Sequence, residues 1–254
     1  MKHIPNLFTL LNLFFGSLAL IFILQNGIAI MYSADGTQLV DMPEKIWMAS
    51  LCIGLAAIVD FLDGFIARLF KASSAMGKEL DSLADLVSFG VAPGMILYQF
   101  LRMSYMRQEN GLEISLAFLL PALLVPCGAA YRLARFNLDQ SQELEFRGVP
   151  TPAVGLLIAS FPLIYWTSGN PTIVGLLLNS WVLYGIIVVL SYAMVSSWPL
   201  MSFKFKDLKL KSNLPRYLIL VIALVSAIFL RWVAVPVIFI LYIILSLAFK
   251  KQNK

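Results

Sequence analysis

Histidine is almost missing from this sequence. Its one copy, His3, stands at the start of the chain, so a His-based general acid–base pair and a His-rich zinc site are both excluded. Cysteine is nearly as scarce. Cys52 and Cys127 each lie inside an apolar run, where a thiol behaves as a small hydrophobe, and no CxxC or Cys/His cluster points to metal or redox work. Charge is thin too: 13% of the 254 residues are charged, against about 25% in a soluble domain. In its place stand 60% hydrophobic residues and a mean hydropathy of +0.84.

Such a chain needs lipid as solvent for much of its surface. Its apolar residues fall into runs that suit a hydrocarbon core about 30 Å thick. Eight spans are expected, roughly at 6–24, 46–70, 83–101, 114–135, 153–166, 173–197, 214–230 and 233–249. Breakers mark several joints, among them Ser168-Gly169-Asn170-Pro171, Trp198-Pro199 and the run from Gly148 to Pro152. The first run suits a spanning helix better than a cleaved signal. No repeat, low-complexity stretch or linker divides the sequence. Residues 1–254 are therefore read as one all-α domain, a polytopic transmembrane helical bundle of about eight spans.

The net charge of +5 is no nucleic-acid signal, because the basic residues sit in the short segments between apolar runs. With the N-terminus inside, fifteen of the nineteen fall on the cytoplasmic side, leaving Lys45, Arg102, Arg107 and Arg231 opposite. The positive-inside rule then puts both termini in the cytoplasm of a cell-membrane protein. The stretch Lys204–Lys211 alternates basic and apolar residues, as a plain inside loop or a segment lying on anionic headgroups would.

One region breaks the apolar pattern. Four of the eight aspartates, Asp60, Asp63, Asp81 and Asp85, lie in or beside the second and third expected spans. An ionised side chain near the bilayer centre costs about 2.5–3.5 kcal/mol on insertion scales, so such residues usually serve a site. On a helix Asp60 and Asp63 share one face, as do Asp81 and Asp85. Gly64 and Ala67 follow on the first face and leave a trough with almost no side chain. A cytoplasmic turn over 69–76 would bring all four carboxylates together. That close, they repel one another unless cations are present, and oxygen-only ligands select hard cations such as Mg²⁺, Mn²⁺ or Ca²⁺. Two such ions serve displacement at phosphorus in many enzymes. Blander readings exist: Asp81 and Asp85 decorating a helix start, Arg68 snorkelling to the interface, or carboxylates serving a cation-coupled transporter.

The spacing D-x2-D-G-x2-A-R-x8-G-x3-D-x3-D, met at Asp60, Asp63, Gly64, Ala67, Arg68, Gly77, Asp81 and Asp85, resembles the signature of the CDP-alcohol phosphotransferase family at every position. Pro5-Asn6-Leu7-Phe8-Thr9, the run from Asp81 to Pro93, and Arg132-Leu-Ala-Arg135-Phe-Asn137 are similar to the family's serine-using membrane subgroup, over about the first 160 residues. The resemblance implies that Asp60, Asp63, Asp81 and Asp85 ligate two divalent cations, Mg²⁺ or Mn²⁺, with Asp85 also the general base. Gly64, Ala67 and Arg68 would hold the CDP moiety, with Gly77 giving room. It implies a homodimer that uses CDP-diacylglycerol and L-serine and releases CMP. Other acceptors, glycerol 3-phosphate or an inositol phosphate, remain open.

Outside the motif, Asn6, Thr9 and Asn12 are spaced three apart on one face of the first span. They read either as helix-capping groups or, for Asn6 and Thr9, as a polar wall around the nucleotide. Lys78, Arg132, Arg135 and Asn137 are the candidates for the acceptor or a lipid phosphate. Guanidinium binds carboxylate in bidentate fashion, which favours Arg135 with Asn137 beside the acceptor. The aromatics Trp47, Trp166, Trp181 and Trp198 read as interface belt or packing.

Overall fold

The computed structural model describes residues 4–25, 29–32, 38–41, 45–69, 74–107, 114–138, 148–198, 200 and 210–248. Helices dominate them. In chain order they are α1 (Ile4–Leu24), α2 (Ile46–Leu69), α3 (Ala75–Asp85), α4 (Ala92–Met106), α5 (Leu124–Leu138), α6 (Thr151–Thr167), α7 (Pro171–Leu177), α8 (Ser180–Val195), α9 (Leu210–Leu230) and α10 (Ala234–Ala248). One element was not expected. Between α1 and α2 a short antiparallel hairpin pairs β1 (Ala29–Tyr32) with β2 (Gln38–Asp41). The sequence did carry a turn signal there, Asp35-Gly36, in a stretch too short to cross a membrane.

Among the described residues four helical stretches are long and apolar enough to cross a membrane: Pro5–Leu24, Ile46–Ile66, Ala75–Met106 and Tyr217–Leu247. A fifth is counted if α7 and α8, bent by 60° at their junction, form one span. The chain is an integral membrane protein, but the expected eight spans are not confirmed, and the reasons are local. Pro121 lies in the short 3₁₀ turns that break the fourth expected span, and the 15-residue α5, with Pro126 in its first turn, follows. Helix α6 has 17 residues and an internal Pro162. The sixth expected span breaks at Asn179, whose side chain caps α8 by accepting from the Trp181 and Val182 amides at 3.0 and 3.2 Å. At the C-terminus Arg231, with φ 49°, opens a 3₁₀ turn between α9 and α10, which pack against each other and, through α10, on α6.

The centre of the bundle is a π-helical turn. Between α3 and α4 the chain stays helical, but Leu86–Val91 takes the wider π form, a feature often found at functional sites. Ser88, Phe89 and Gly90 are buried there. Glycine lets neighbouring backbones reach this turn. A Cβ on Gly16 of α1 would lie 2.8 Å from the Ser88 Cα, and one on Gly155 of α6 would lie 2.9 Å from the Phe89 Cα. Below the turn the apolar core continues through Ile96 and Phe100, with Phe100 edge-to-face against Phe161 at 6.2 Å. The turn, which starts right after Asp85, thus packs against α1 and α6 and runs on into α4.

Candidate functional site

Helix α1 packs along both α2 and α3, and the carboxylates of those two helices meet beside it. Asp60 leaves the third-last turn of α2. Asp81 and Asp85 share a face of α3, whose start is capped by Ser74, its Oγ accepting from the Gly77 amide at 3.0 Å. Asp60, Asp81 and Asp85 each offer an oxygen within 4.8 Å of the others. That span fits a single hard cation with oxygen ligands at about 2.0–2.6 Å, so the donor set suits the divalent metal that the sequence implies. Three of the four expected carboxylates are therefore brought together.

Asp63 stands slightly apart. It is buried and accepts a hydrogen bond from the Thr9 hydroxyl on α1. Asp85, also buried, accepts from Asn12 Nδ2 at 3.1 Å. Asn6, at the start of the same α1 face, lies against the first turn of α3: a Cβ on Gly77 would come within 3.2 Å of Asn6 Oδ1. Gly77 therefore gives room to Asn6 and to the helix cap. Gly64 differs. It is exposed, and a Cβ there would meet nothing within 4 Å. The trough expected beside the aspartates is open at that point. Ala67 and Arg68 lie on the last turns of α2, and their side chains fall outside the described residues.

The four acceptor-side candidates separate. Lys78 Nζ donates to the Asn137 carbonyl at 3.2 Å and lies 5.9 Å from the Phe136 ring centre. Asn137 Nδ2 donates to Ser82 Oγ at 2.9 Å and to Glu79 Oε2 at 3.3 Å. These bonds clamp the end of α5 onto α3. Arg135 turns to α8, donating to the Val195 carbonyl at 3.3 Å, where it serves the C-terminal end of that helix. Arg132 turns the other way. Its guanidinium donates to Thr151 Oγ1 at 3.2 Å and interacts electrostatically with Asp85 and Tyr242. Its buried Nε has no hydrogen-bond partner among the described residues.

Three residues at the site were not among the expected site residues: Asn12, read as a helix-capping group, Thr151 and Ser88. The position of Asn12 was signalled by its spacing from Asn6 and Thr9, but its partner was not. Thr151 was signalled by its place in the Gly148–Pro152 run, which is similar to a stretch of the same family subgroup, but its partner was not.

Comparison with known proteins bears on this site. The model of the CDP-alcohol phosphatidyltransferase family matches residues 2–198, which include every site residue named above except Tyr242. The chain is 34% identical over 233 residues to a CDP-diacylglycerol–serine O-phosphatidyltransferase of Helicobacter pylori strain J99, covering 89% of this chain and 81% of that protein. It is 36% identical over 128 residues to the protein of that name in Bacillus subtilis strain 168, covering 48% of this chain and 64% of the relative. With the Methanocaldococcus jannaschii protein of the same name it is 41% identical over 109 residues, covering 43% and 47%.

Proposed function

This chain belongs to the CDP-alcohol phosphatidyltransferase family, and we propose that it transfers the phosphatidyl group of CDP-diacylglycerol to the hydroxyl of L-serine, giving phosphatidylserine and CMP. The observation that carries this reading is the meeting of Asp60, Asp81 and Asp85 within 4.8 Å beside the open face of Gly64. Asp60, Asp63, Asp81 and Asp85 would hold two divalent cations, Mg²⁺ or Mn²⁺, which would neutralise pyrophosphate charge and polarise the phosphorus.

The remaining work falls to the chain's own groups. Gly64, Ala67 and Arg68 receive the CDP moiety, with Asn6 and Thr9 close to its head, while the acyl chains stay in the bilayer. Asp85 takes the proton from the serine hydroxyl as that oxygen bonds to the lipid-bearing phosphorus and the bond to CMP breaks. Arg132 takes the serine carboxylate. Of the acceptor-side candidates it is the one that interacts with Asp85 and, besides its bond to Thr151, it keeps a buried donor, Nε, without a partner among the described residues.

Purified protein is expected to release CMP from CDP-diacylglycerol when serine is added. Release with glycerol 3-phosphate or an inositol phosphate but not serine would move the acceptor. No release with any alcohol would favour a cation-coupled transporter. In the same assay Arg132→Ala should raise the serine KM about ten- to a hundredfold, since a hydrogen bond to a charged group is worth roughly 1.5–3 kcal/mol. The CDP-diacylglycerol KM should stay unchanged, and Arg135→Ala should shift the serine KM little. The reverse ranking would return the acceptor to Arg135.

The orientation follows from charge: both termini, Lys71 and the aspartate end of the bundle face the cytoplasm. In a background without Cys52 and Cys127, Lys71→Cys should resist an impermeant thiol reagent added to intact cells. Labelling from outside would overturn this topology. A homodimer and a single domain over 1–254 also belong to the proposal, with the mass of the detergent-solubilised protein as the test of the first.

A further inference from the structure

The first helix carries a polar stripe that follows the motif residue by residue. Asn6 lies against Gly77, the Thr9 hydroxyl bonds Asp63, Asn12 Nδ2 bonds Asp85 at 3.1 Å, and Gly16 admits Ser88. Within this stripe Asn12 stands out. It is 0% exposed, and its backbone carbonyl accepts from Ser88 Oγ at 3.1 Å. Its side-chain Oδ1 has no partner among the described residues. A buried amide with half its capacity unused is a poor stabilising device, because apolar packing of the same shape would serve the fold better. Something other than stability explains where its N–H points.

We infer that Asn12 is a positioning residue for Asp85, holding one carboxylate oxygen against α1 so that the other faces the reacting hydroxyl. An amide N–H suits this task. It cannot take the proton that Asp85 must accept, and it carries no charge to compete with a cation. Two neighbours stiffen it: the Ser88 bond ties its backbone to the π turn, and Thr9, one helical turn earlier, ties the same helix to Asp63. Helix α1 is thus a splint for the two most buried aspartates of the motif. The assignment rests on the reading of Asp85 as the general base, and it adds a residue that the motif does not contain.

The test uses Asn12→Leu, an apolar near-isostere, in the full-length protein with its metal. The thermal midpoint should change little, since loss of the bond to Asp85 is offset by removal of an unsatisfied buried oxygen. The Mn²⁺-dependent rise in midpoint should be kept. Turnover should fall about ten- to a hundredfold, as on loss of an orienting partner around a metal site, with both KM values within about threefold of wild type. A loss of stability together with activity would instead mark Asn12 as packing and overturn the inference, as would unchanged kcat. A tenfold rise in the serine KM at unchanged kcat would overturn it too, by making Asn12 a substrate contact. If Asn12→Leu fails to fold, Asn12→Ala read as a double-mutant cycle with Asp85→Ala gives the answer from midpoints alone. The two changes should be non-additive, and additivity would sink the pairing. Asp85→Asn reads the premise separately: retained turnover there would fell the general-base reading, whatever Asn12 does.

Discussion

With Asp81 replaced by alanine, the protein is expected to fold, insert and turn over at about one thousandth of the wild-type rate, roughly 4 kcal/mol of lost transition-state stabilisation. Asp81 supplies one of three oxygens lying within 4.8 Å of one another, and it does so from a half-buried place in the second half of α3. Little packing is lost with it. A negative charge leaves a cluster of like charges, so the midpoint of the metal-free protein should stay level or rise. The metal response should vanish. Wild-type protein at a hundred times the dissociation constant of Mn²⁺ gains about 2.7 kcal/mol of stability, and Asp81→Ala should gain almost none. Asp60→Ala and Asp63→Ala should lose activity to a similar degree, the latter also freeing Thr9. Excess EDTA should abolish wild-type turnover and added Mn²⁺ should restore it. Full activity in EDTA would sink the metal-dependent mechanism.

Gly64→Leu is the second large effect, and its logic is the opposite of an ordinary core substitution. Nothing lies within 4 Å of a Cβ at this position, so the new side chain collides with no part of the protein. Inside a helix, leucine is favoured over glycine by roughly 0.5–1 kcal/mol, so the variant should be no less stable than wild type. If the trough is where CDP-diacylglycerol lies, the leucine fills it, and nucleotide binding should fall at least about a hundredfold, or roughly 2.7 kcal/mol. Binding of a CDP analogue to folded Gly64→Leu protein measures this directly, and normal binding would show the trough to be unused. Gly77→Leu makes the control. Its Cβ would press on Ser74 Oγ at 3.0 Å and Asn6 Oδ1 at 3.2 Å, so its loss of activity should come with a loss of stability.

The aspartate spacing was enough to foresee that Asp60, Asp81 and Asp85 meet, because helical phase and a short connection leave few other outcomes. It did not separate Asp63 from the group. An i,i+3 spacing assigns a face of α2, but Thr9 on another helix decides which way the carboxylate turns. The same gap explains the arginines. Arg132 and Arg135 share a face of α5 by spacing, yet one reaches Thr151 on α6 and the other the end of α8. Which neighbour lies across a helix is a property of the bundle, and no local pattern carries it. The long apolar runs identified the membrane helices well at α1 and α2. They left the span count unconfirmed where proline or a capping asparagine interrupts a run without changing its composition, as at Pro121 and Asn179.

The π turn has a consequence for chain length. A residue in a regular helix advances about 100° around the axis, so a wide turn shifts the phase of everything after it relative to a continuous α-helix. Deleting one residue from 86–91 would let the 32-residue rod from Ala75 to Met106 close into ordinary α-helix, with no penalty in its own hydrogen bonding. It would also swing Ile96, Phe100 and Met103 about 100° away from the core they now fill, or else swing Asp81 and Asp85 away from Asp60. The segment can therefore exchange one apolar side chain for another far more readily than it can lose one. Here the number of residues, more than their identity, keeps the chemistry and the core in step.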